Sequence, residues 1–163
     1  MRDNLKKVGH VLVWVLIIAM PVLSLLFAFG YNITIVDGIS MYPTLFDNDI
    51  VITEKNFTAE RDDLIVFSAD GHYLIKRVVG LPGETVQIID GYVYINDVPY
   101  NDVVSVQMEE AGIFAEPTVI PEGHYFVLGD NRNHSSDSRA FGAISASDIK
   151  GRVICHWGKG KIS

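Results

Sequence analysis

With 163 residues, the chain has room for one compact domain, in addition to whatever its ends do separately. Its formal net charge of −7 argues against a nucleic-acid partner, because nucleic acids bind basic surfaces. Cys155 is the only cysteine, which excludes an intrachain disulfide, and the five histidines have scattered spacings that predict no metal site. We therefore predict neither a metal nor another cofactor.

An apolar helix is the first predicted element. Residues 11–29 include no charged side chain. At about 1.5 Å per residue they form a helix of roughly 28 Å, close to the hydrocarbon thickness of a bilayer. We predict a tail over residues 1–10 and a transmembrane anchor over residues 11–30. The alternatives are a buried core helix and a signal peptide cleaved near Ala28 and Gly30, although the apolar run is longer than that of most signal peptides.

The charges before the apolar run predict its orientation. Arg2, Lys6 and Lys7 lie there, and Asp3 is the only acid among them. The positive-inside rule places this tail in the cytoplasm and the domain of residues 31–163 outside it. The expected location is the cell membrane, crossed once, with membrane lipid as a partner.

Short apolar runs rich in Val, Ile, Tyr and Phe follow the anchor, separated by turn signals. Residues 85–95 predict a hairpin whose turn is Asp90-Gly91. No long stretch after residue 30 has a helical period, and residues 143–150 favour at most one short helix. We predict an all-β domain of sandwich or folded-barrel type, with residues 101–122 as a loop excursion.

Three polar clusters are not explained by strand formation. The first, residues 37–45, reads DGISMYPTL, and its glycine and proline predict a tight turn that presents Ser40. A serine held in this way is exposed to a reaction partner, and nearby backbone N–H groups are available to bind an oxyanion. By itself, the cluster favours an ordinary β-turn serine.

The second cluster, residues 73–84, reads YLIKRVVGLPGE. With the period of a strand, Lys76 shares a face with Leu74 and Val78. Such a lysine either protects an edge strand with its ammonium group in water, or is a desolvated amine with a lowered pKa. The third cluster, residues 129–142, reads GDNRNHSSDSRAFG and predicts a polar loop held between apolar segments.

Together, these clusters resemble one family. Ser-Met-x-Pro-Thr-Leu, Lys-Arg-Val-x-Gly-x-Pro-Gly-Glu and Gly-Asp-Asn-Arg-x-x-Ser-x-Asp-Ser-Arg follow an N-terminal anchor in the order found in type I signal peptidases. Residues 63–67, DLIVF, resemble the strand segment between the first two motifs. The resemblance extends to about Gly142 and is greatest for the compact enzymes of Gram-positive bacteria. It implies a folded β-barrel that acts as a serine endopeptidase.

The resemblance also implies roles for individual residues. Ser40 matches the nucleophile and Lys76 the general base. Ser135 matches the serine that orients the lysine, while Asp137 and Arg139 match the pair that holds the third segment in place. The chemistry agrees, because no Asp–His pair offers itself as a base and a lysine in an apolar setting loses its proton more easily. His134 matches no catalytic position.

Two positions depart from the family pattern. Gly38 stands where many members carry a serine whose hydroxyl helps bind the oxyanion, so the Ser40 backbone N–H must support that site, and a second donor is not identified. Asn133-His134 replaces the common Asp-Asn. Gly38 is nevertheless expected to support catalysis through the shape of the turn.

The implied substrates are exported preproteins, cleaved after small residues in the pattern Ala-x-Ala, with the Sec translocation machinery as a candidate partner. The substrate is expected to bind as an added strand beside Asp37-Gly38 or beside the Lys76 strand. Residues expected to bind it are Val36, Asp37, Met41, Leu45, Leu74 and Ile75, and core packing is the alternative role for the apolar ones.

Two other function classes remain as alternatives. A self-cleaving Ser/Lys repressor protease would require a DNA-binding domain where the apolar run lies. A membrane-anchored binding module would have kept the fold and lost the activity, although Ser40 and Lys76 are both present. The distance between the Ser40 hydroxyl and the Lys76 amine distinguishes the enzyme from the binding module.

Overall fold

The chain begins with one long helix and continues mostly as β-strands and loops. The computed structural model describes residues 2–69, 71–104 and 106–160, and within the first helix it describes the side chains of residues 10, 13–25 and 28. This helix, α1, spans Arg2–Phe29 and contains Pro21.

Within the described part of the chain, no helix has the length and apolar character that crossing a membrane requires. The single span over residues 11–30 is thus not confirmed. The side chains of Arg2, Lys6 and Lys7, on which the predicted orientation depends, lie outside the described residues.

Seven strands form the larger sheet, and paired strands are antiparallel. In order across the sheet they are β1 (Tyr31–Ile35), β2 (Ile50–Glu54), β11 (Ile149–Trp157), β3 (Leu64–Ala69), β4 (His72–Gly80), β9 (His124–Leu128) and β10 (Ile144–Ser145). The central strands are rich in β-branched and aromatic residues, which pack well on a pleated surface. β4 therefore lies inside the sheet, between β3 and β9.

The smaller, four-stranded sheet contains the predicted hairpin. Its strands, in order, are β7 (Val98–Pro99), β6 (Tyr92–Ile95), β5 (Thr85–Ile89) and β8 (Thr118–Val119). Ile89 pairs with Tyr92 across a turn in which Asp90 and Gly91 both have positive φ, as a two-residue hairpin requires. The hairpin and the mainly β, antiparallel fold are confirmed.

The remaining helical pieces are short. The described residues between 101 and 122 are largely irregular, as predicted, and contain the 3₁₀ turn Gly112–Phe114 and β8. Within residues 143–150 a 3₁₀ turn forms at Ala146–Asp148. A further 3₁₀ turn, Arg132–His134, and one helical turn, α2 (Ser138–Phe141), interrupt the third polar cluster. Neither was expected, because both are too short to show a hydrophobic period.

One buried cluster lies under the segment that carries Ser40. We call it the nucleophile-side cluster, and it consists of Val36, Met41, Leu45, Val51, Leu64, Val66, Ile75 and Val153. A second cluster, which includes Ile65, Phe67, Val78 and Val127, packs on the other face of β3 and β4. The alternation of the strand sends Ile75 to the first cluster and Val78 to the second, so β4 separates two apolar layers.

Candidate active site

Ser40 and Lys76 meet in the fold although they belong to different clusters of the sequence. The Lys76 Nζ atom lies 2.8 Å from the Ser40 Oγ atom, within hydrogen-bonding distance. Lys76 Nζ also donates to the Ile75 carbonyl oxygen at 3.0 Å. The separation matches that of a nucleophile and its base.

Lys76 is buried, with a relative exposure of only 2%. It lies on β4 where this strand pairs with β3, and Ile65 is its cross-strand partner. The alternative of an edge-strand lysine with its ammonium group in water is therefore wrong. Burial lowers the pKa of the Lys76 ammonium group from its ordinary 10.5 to about 8, although the Asp137 and Asp130 carboxylates act in the opposite direction.

The turn that carries Ser40 is held from two sides. Gly38 has φ of +88°, a left-handed conformation that favours glycine, and its N–H donates to Asp47 Oδ1 at 2.9 Å. From the third cluster, the Asn131 N–H donates to the Ser40 carbonyl oxygen at 3.0 Å, and its side-chain amide donates to the Ile39 carbonyl oxygen at 3.0 Å. No partner among the described residues accepts a hydrogen bond from the Ser40 N–H, which leaves this donor available to an oxyanion.

A buried ion pair joins all three clusters. Arg77 follows Lys76 on β4, and its guanidinium group donates to both carboxylate oxygens of Asp130, at 2.9 and 2.7 Å. Thr44, from the Ser40 turn, donates its hydroxyl to the same carboxylate. Arg77 and Asp130 are each only 1% exposed. Because each charge is buried, both must keep this pairing, which fixes the relative positions of nucleophile and base.

An ion pair between Asp137 and Arg139 holds the third cluster at the end of β9. Arg139 donates to both oxygens of the Asp137 carboxylate, at 2.8 and 2.9 Å. Asp137 also accepts from the Gly129 N–H at 3.0 Å, at the end of β9. Asp137 is fully buried and caps α2, so it connects the strand to the loop.

Ser135 is brought close to the Ser40 segment. A Cβ atom added at Gly129 would lie 2.5 Å from the Ser135 Cβ atom and 2.6 Å from the Ser40 carbonyl oxygen, so only glycine allows this approach. The Ser135 hydroxyl is buried and has no hydrogen-bond partner among the described residues. Among the described residues, Ser135 therefore makes no side-chain hydrogen bond to Lys76, the residue that it is expected to orient. His134 is exposed, and no described hydrogen bond joins its ring to Ser40.

Four of the six predicted substrate-binding residues lie together. Val36, Met41, Leu45 and Ile75 belong to the nucleophile-side cluster. Leu74 instead lies on the other face of β4. There it lines an open pocket of about 790 Å³, whose other lining residues are Ser40, Ser68, Ala69, His72, Lys76, Ser136, Phe141 and Asp148. Asp37 is exposed and does not line this pocket.

Asp49 is a support that sequence reasoning missed. Its carboxylate accepts hydrogen bonds from the Phe46 N–H at 3.0 Å, the Lys159 N–H at 2.9 Å and the Gly160 N–H at 3.0 Å. Burial by itself raises the Asp49 pKa, but these N–H groups outweigh that effect and hold the pKa below its ordinary value. Asp49 thereby fastens the segment after Ser40 to the chain that follows β11. No local pattern signalled this contact.

The support residues Thr44, Arg77, Asp130 and Asn131 were also not predicted. All four lie inside the quoted motifs, and this was the one signal in the sequence that could have identified them. Their partners lie far away in sequence: 86 residues separate Thr44 from Asp130, and 53 separate Arg77 from Asp130.

The comparison with known proteins agrees with this geometry. The family model described as signal peptidase, peptidase S26, matches residues 6–157. The chain belongs to the signal peptidase family S26. It is 33% identical to signal peptidase I S of Bacillus subtilis (strain 168), over 91% of this chain and 90% of the relative. It is 37% identical to a signal peptidase I of Bacillus licheniformis, over 92% and 90% of the two chains.

A solved structure gives the same result. The crystal structure of a signal peptidase I from Enterococcus faecalis V583 is 36% identical, has a TM-score of 0.50, and matches 59% of this chain and 97% of that one. The expectation of a bacterial type I signal peptidase is confirmed, and the chain is a serine endopeptidase of that family.

Proposed function

We propose that this chain is a membrane-bound endopeptidase that removes signal peptides from exported preproteins, with Ser40 as nucleophile and neutral Lys76 as general base. The observation that carries the proposal is the 2.8 Å separation of Ser40 Oγ and Lys76 Nζ. A buried lysine with a pKa of about 8 supplies a usable fraction of neutral amine near neutral pH.

The reaction proceeds in two halves. The lone pair of Lys76 Nζ takes the Ser40 hydroxyl proton while Ser40 Oγ attacks the carbonyl carbon of the scissile peptide bond. The Ser40 N–H stabilises the resulting oxyanion. Lys76 then gives the proton to the leaving amine, which leaves an acyl-enzyme ester on Ser40. Water, deprotonated by Lys76, attacks the ester, and the proton returns to Ser40 Oγ as the signal peptide leaves.

The support residues keep the two reacting groups at this separation. Arg77 and Asp130 fix the base strand relative to the Ser40 turn, and Asp137 with Arg139 holds the third cluster against β9. Ser135 has a buried hydroxyl, and its carbonyl oxygen accepts a hydrogen bond from Arg139 at 3.4 Å. In this proposal Ser135 receives a hydrogen bond from Lys76 only when substrate excludes water and the site tightens.

The substrate binds as an added strand. Among the described residues, β9 pairs with β4 only between Arg77 and Gly80. The edge of residues 72–76 that faces away from β3 is thus open to an extended peptide beside Lys76. Small residues before the cut, in the pattern Ala-x-Ala, leave room for a peptide backbone to approach the dyad, while Val36, Met41, Leu45, Leu74 and Ile75 form the apolar surroundings.

We further propose that residues 11–30 anchor the enzyme in the cell membrane, with residues 1–10 in the cytoplasm and the catalytic domain, residues 31–163, outside. The support is the uncharged run of residues 11–29, which lies within α1. The large apolar side chains that the structure describes between residues 13 and 25 of α1 are 49–64% exposed. Membrane lipid would remove this apolar surface from water. Preproteins would reach the site from the Sec translocation machinery.

The proposal is tested with purified full-length protein in non-ionic detergent and a synthetic peptide that carries an Ala-x-Ala site. Wild-type protein should cut after the second alanine, and Ser40→Ala should reduce kcat by at least about a thousandfold while it leaves the thermal unfolding curve unchanged. Ser68→Ala, which removes a hydroxyl from the same pocket, is the matched control. Equal cleavage by Ser40→Ala would exclude Ser40 as the nucleophile.

A further inference from the structure

The face of β1 and β2 that borders the nucleophile-side cluster extends toward α1 as a trough. Val36, the residue after β1, is buried, and Thr34 and Asn32, which alternate with it on β1, are half-buried and polar. Thr34 pairs with Val51 of β2, and Asn32 pairs with Thr53. The trough is therefore apolar near Ser40 and becomes polar toward the anchor.

The polar end of the trough contains an open cavity of about 520 Å³. Its polar lining residues are Asn32, Thr34, Thr53, Lys55, Tyr73 and Lys150. Val66 forms part of the lining and also belongs to the nucleophile-side cluster, where it pairs with Ile75. Val66 therefore places the cavity next to the nucleophile-side cluster, while none of its lining residues lines the pocket that contains Ser40 and Lys76.

Two lysines give this cavity a charge opposite to that of the protein. The chain has 20 acidic and 13 basic residues, but none of the described residues that line the cavity is acidic. Among the described residues, the Lys55 side chain has no hydrogen bond or ion pair, and Lys150 reaches only the Ser147 carbonyl oxygen, at 3.5 Å. Both ammonium groups are therefore available to a negatively charged ligand.

The anchor determines which part of a substrate reaches the cavity. The Lys55 N–H donates to the carbonyl oxygen of Gly30, the residue that joins α1 to β1, at 2.9 Å. This end of the trough therefore faces the membrane. A signal peptide enters from the same membrane, so its residues before the cut lie toward Lys55. Tyr73 is three residues from Lys76, or about 10 Å along a strand, which corresponds to a position about four residues before the cut.

We infer that the cavity is a substrate subsite for residues about four to six positions before the cut, and that Lys55 and Lys150 make it select acidic side chains there. The inference rests on the proposed function. This preference for an acidic side chain is opposite to the preference that the charge of the whole protein produces, because a net charge of −7 favours a basic peptide everywhere else.

The test compares three Ala-x-Ala peptides that differ only at the fifth residue before the cut, which is Glu, Gln or Lys. Full-length protein in non-ionic detergent is used, so that no anionic lipid competes. At low salt, kcat/KM should be about three- to tenfold higher for the Glu peptide than for the Lys peptide, mainly through KM, and about 1 M NaCl should abolish the difference. The same substitutions four residues after the cut should show no preference for Glu.

Variants separate the subsite from general charge effects. Lys55→Gln with Lys150→Gln should bring the ratio of Glu to Lys peptide to about one, and replacing both with Glu should invert it. The matched control is Val98→Glu with Val119→Glu, at positions 64% and 61% exposed on the smaller sheet. It changes the net charge as much as the double Gln variant and should keep the wild-type ratio.

Equal cleavage of the three peptides by wild-type protein would overturn the subsite and leave the proposed function standing. An equal loss of preference in the Val98→Glu, Val119→Glu control would also overturn it. If the Gln peptide is not cut at all, the proposed function itself fails, and the subsite fails with it.

Discussion

The pH dependence of cleavage tests the burial of Lys76 most directly. Burial penalises the charged amine, so its pKa falls from 10.5 to about 8. At pH 7 about one tenth of the enzyme then has a neutral base, compared with about one in three thousand for an ordinary lysine. Because only the neutral amine accepts the Ser40 proton, kcat/KM should rise about tenfold between pH 7 and pH 9 and then level off.

The assay is a pH series of kcat/KM with one uncharged Ala-x-Ala peptide, so that the substrate does not titrate. Lys76→Arg should be inactive at every pH, because the guanidinium group keeps its proton. Lys76→His should retain a trace of activity, and Ser135→Ala should lower the rate less than either. These variants separate the loss of the base from the loss of a positive charge.

The same pKa has a consequence for stability. Lowering it from 10.5 to about 8 costs the folded state about 3 kcal/mol below pH 8, where the amine is charged in both states. Between about pH 8 and about pH 10.5 the unfolded chain binds more protons than the folded one, so this cost disappears as the pH rises. Lys76→Met should therefore stabilise the protein by up to about 3 kcal/mol at pH 7 and by much less at pH 10.

Two results would refute this account of Lys76. If kcat/KM rises about a hundredfold between pH 7 and pH 9 and continues to rise through pH 10, the lysine has its ordinary pKa and burial does not activate it. If Lys76→Arg cleaves at a rate near that of wild type, Lys76 is structural and the base lies elsewhere.

Three further predictions concern the supports and the anchor. Asp130→Asn should lower the free energy of unfolding by about 3–5 kcal/mol in denaturant titrations, because Arg77 is left buried without a counter-charge. The control Asp97→Asn, at an exposed position, should change the free energy of unfolding by less than about 0.5 kcal/mol. Equal effects of the two substitutions would exclude the ion pair as the cause. Gly129→Ala should lower kcat at least about tenfold, because its methyl group displaces Ser135 and the Ser40 backbone. Gly123→Ala meets nothing within 4 Å and is strained only by its φ of +70°, so it should lower stability without lowering kcat. Unchanged kcat in Gly129→Ala contradicts the close approach. Protease added outside spheroplasts should digest residues 31–163 and spare the tail, and a protected domain would reverse the proposed orientation.

The sequence by itself determined the features that local patterns encode. The Asp90-Gly91 hairpin follows from two residues that accept positive φ between alternating apolar residues. The mainly β fold follows from short β-branched runs bounded by turn signals. The candidate nucleophile and base were identifiable because three polar motifs occur in the order found in type I signal peptidases, whereas each motif by itself left an ordinary turn serine or an edge lysine as the alternative.

Only the tertiary structure decided which environment each candidate residue has. From sequence, Lys76 was either an exposed edge lysine or a buried amine, and its exposure of only 2% in the fold decided for burial. The contact of Asp49 with Gly160, 111 residues apart, left no local signal. Burial and pairing of charges depend on which distant segments the fold brings together. A pattern of period two gives the face of a strand but does not specify what covers that face.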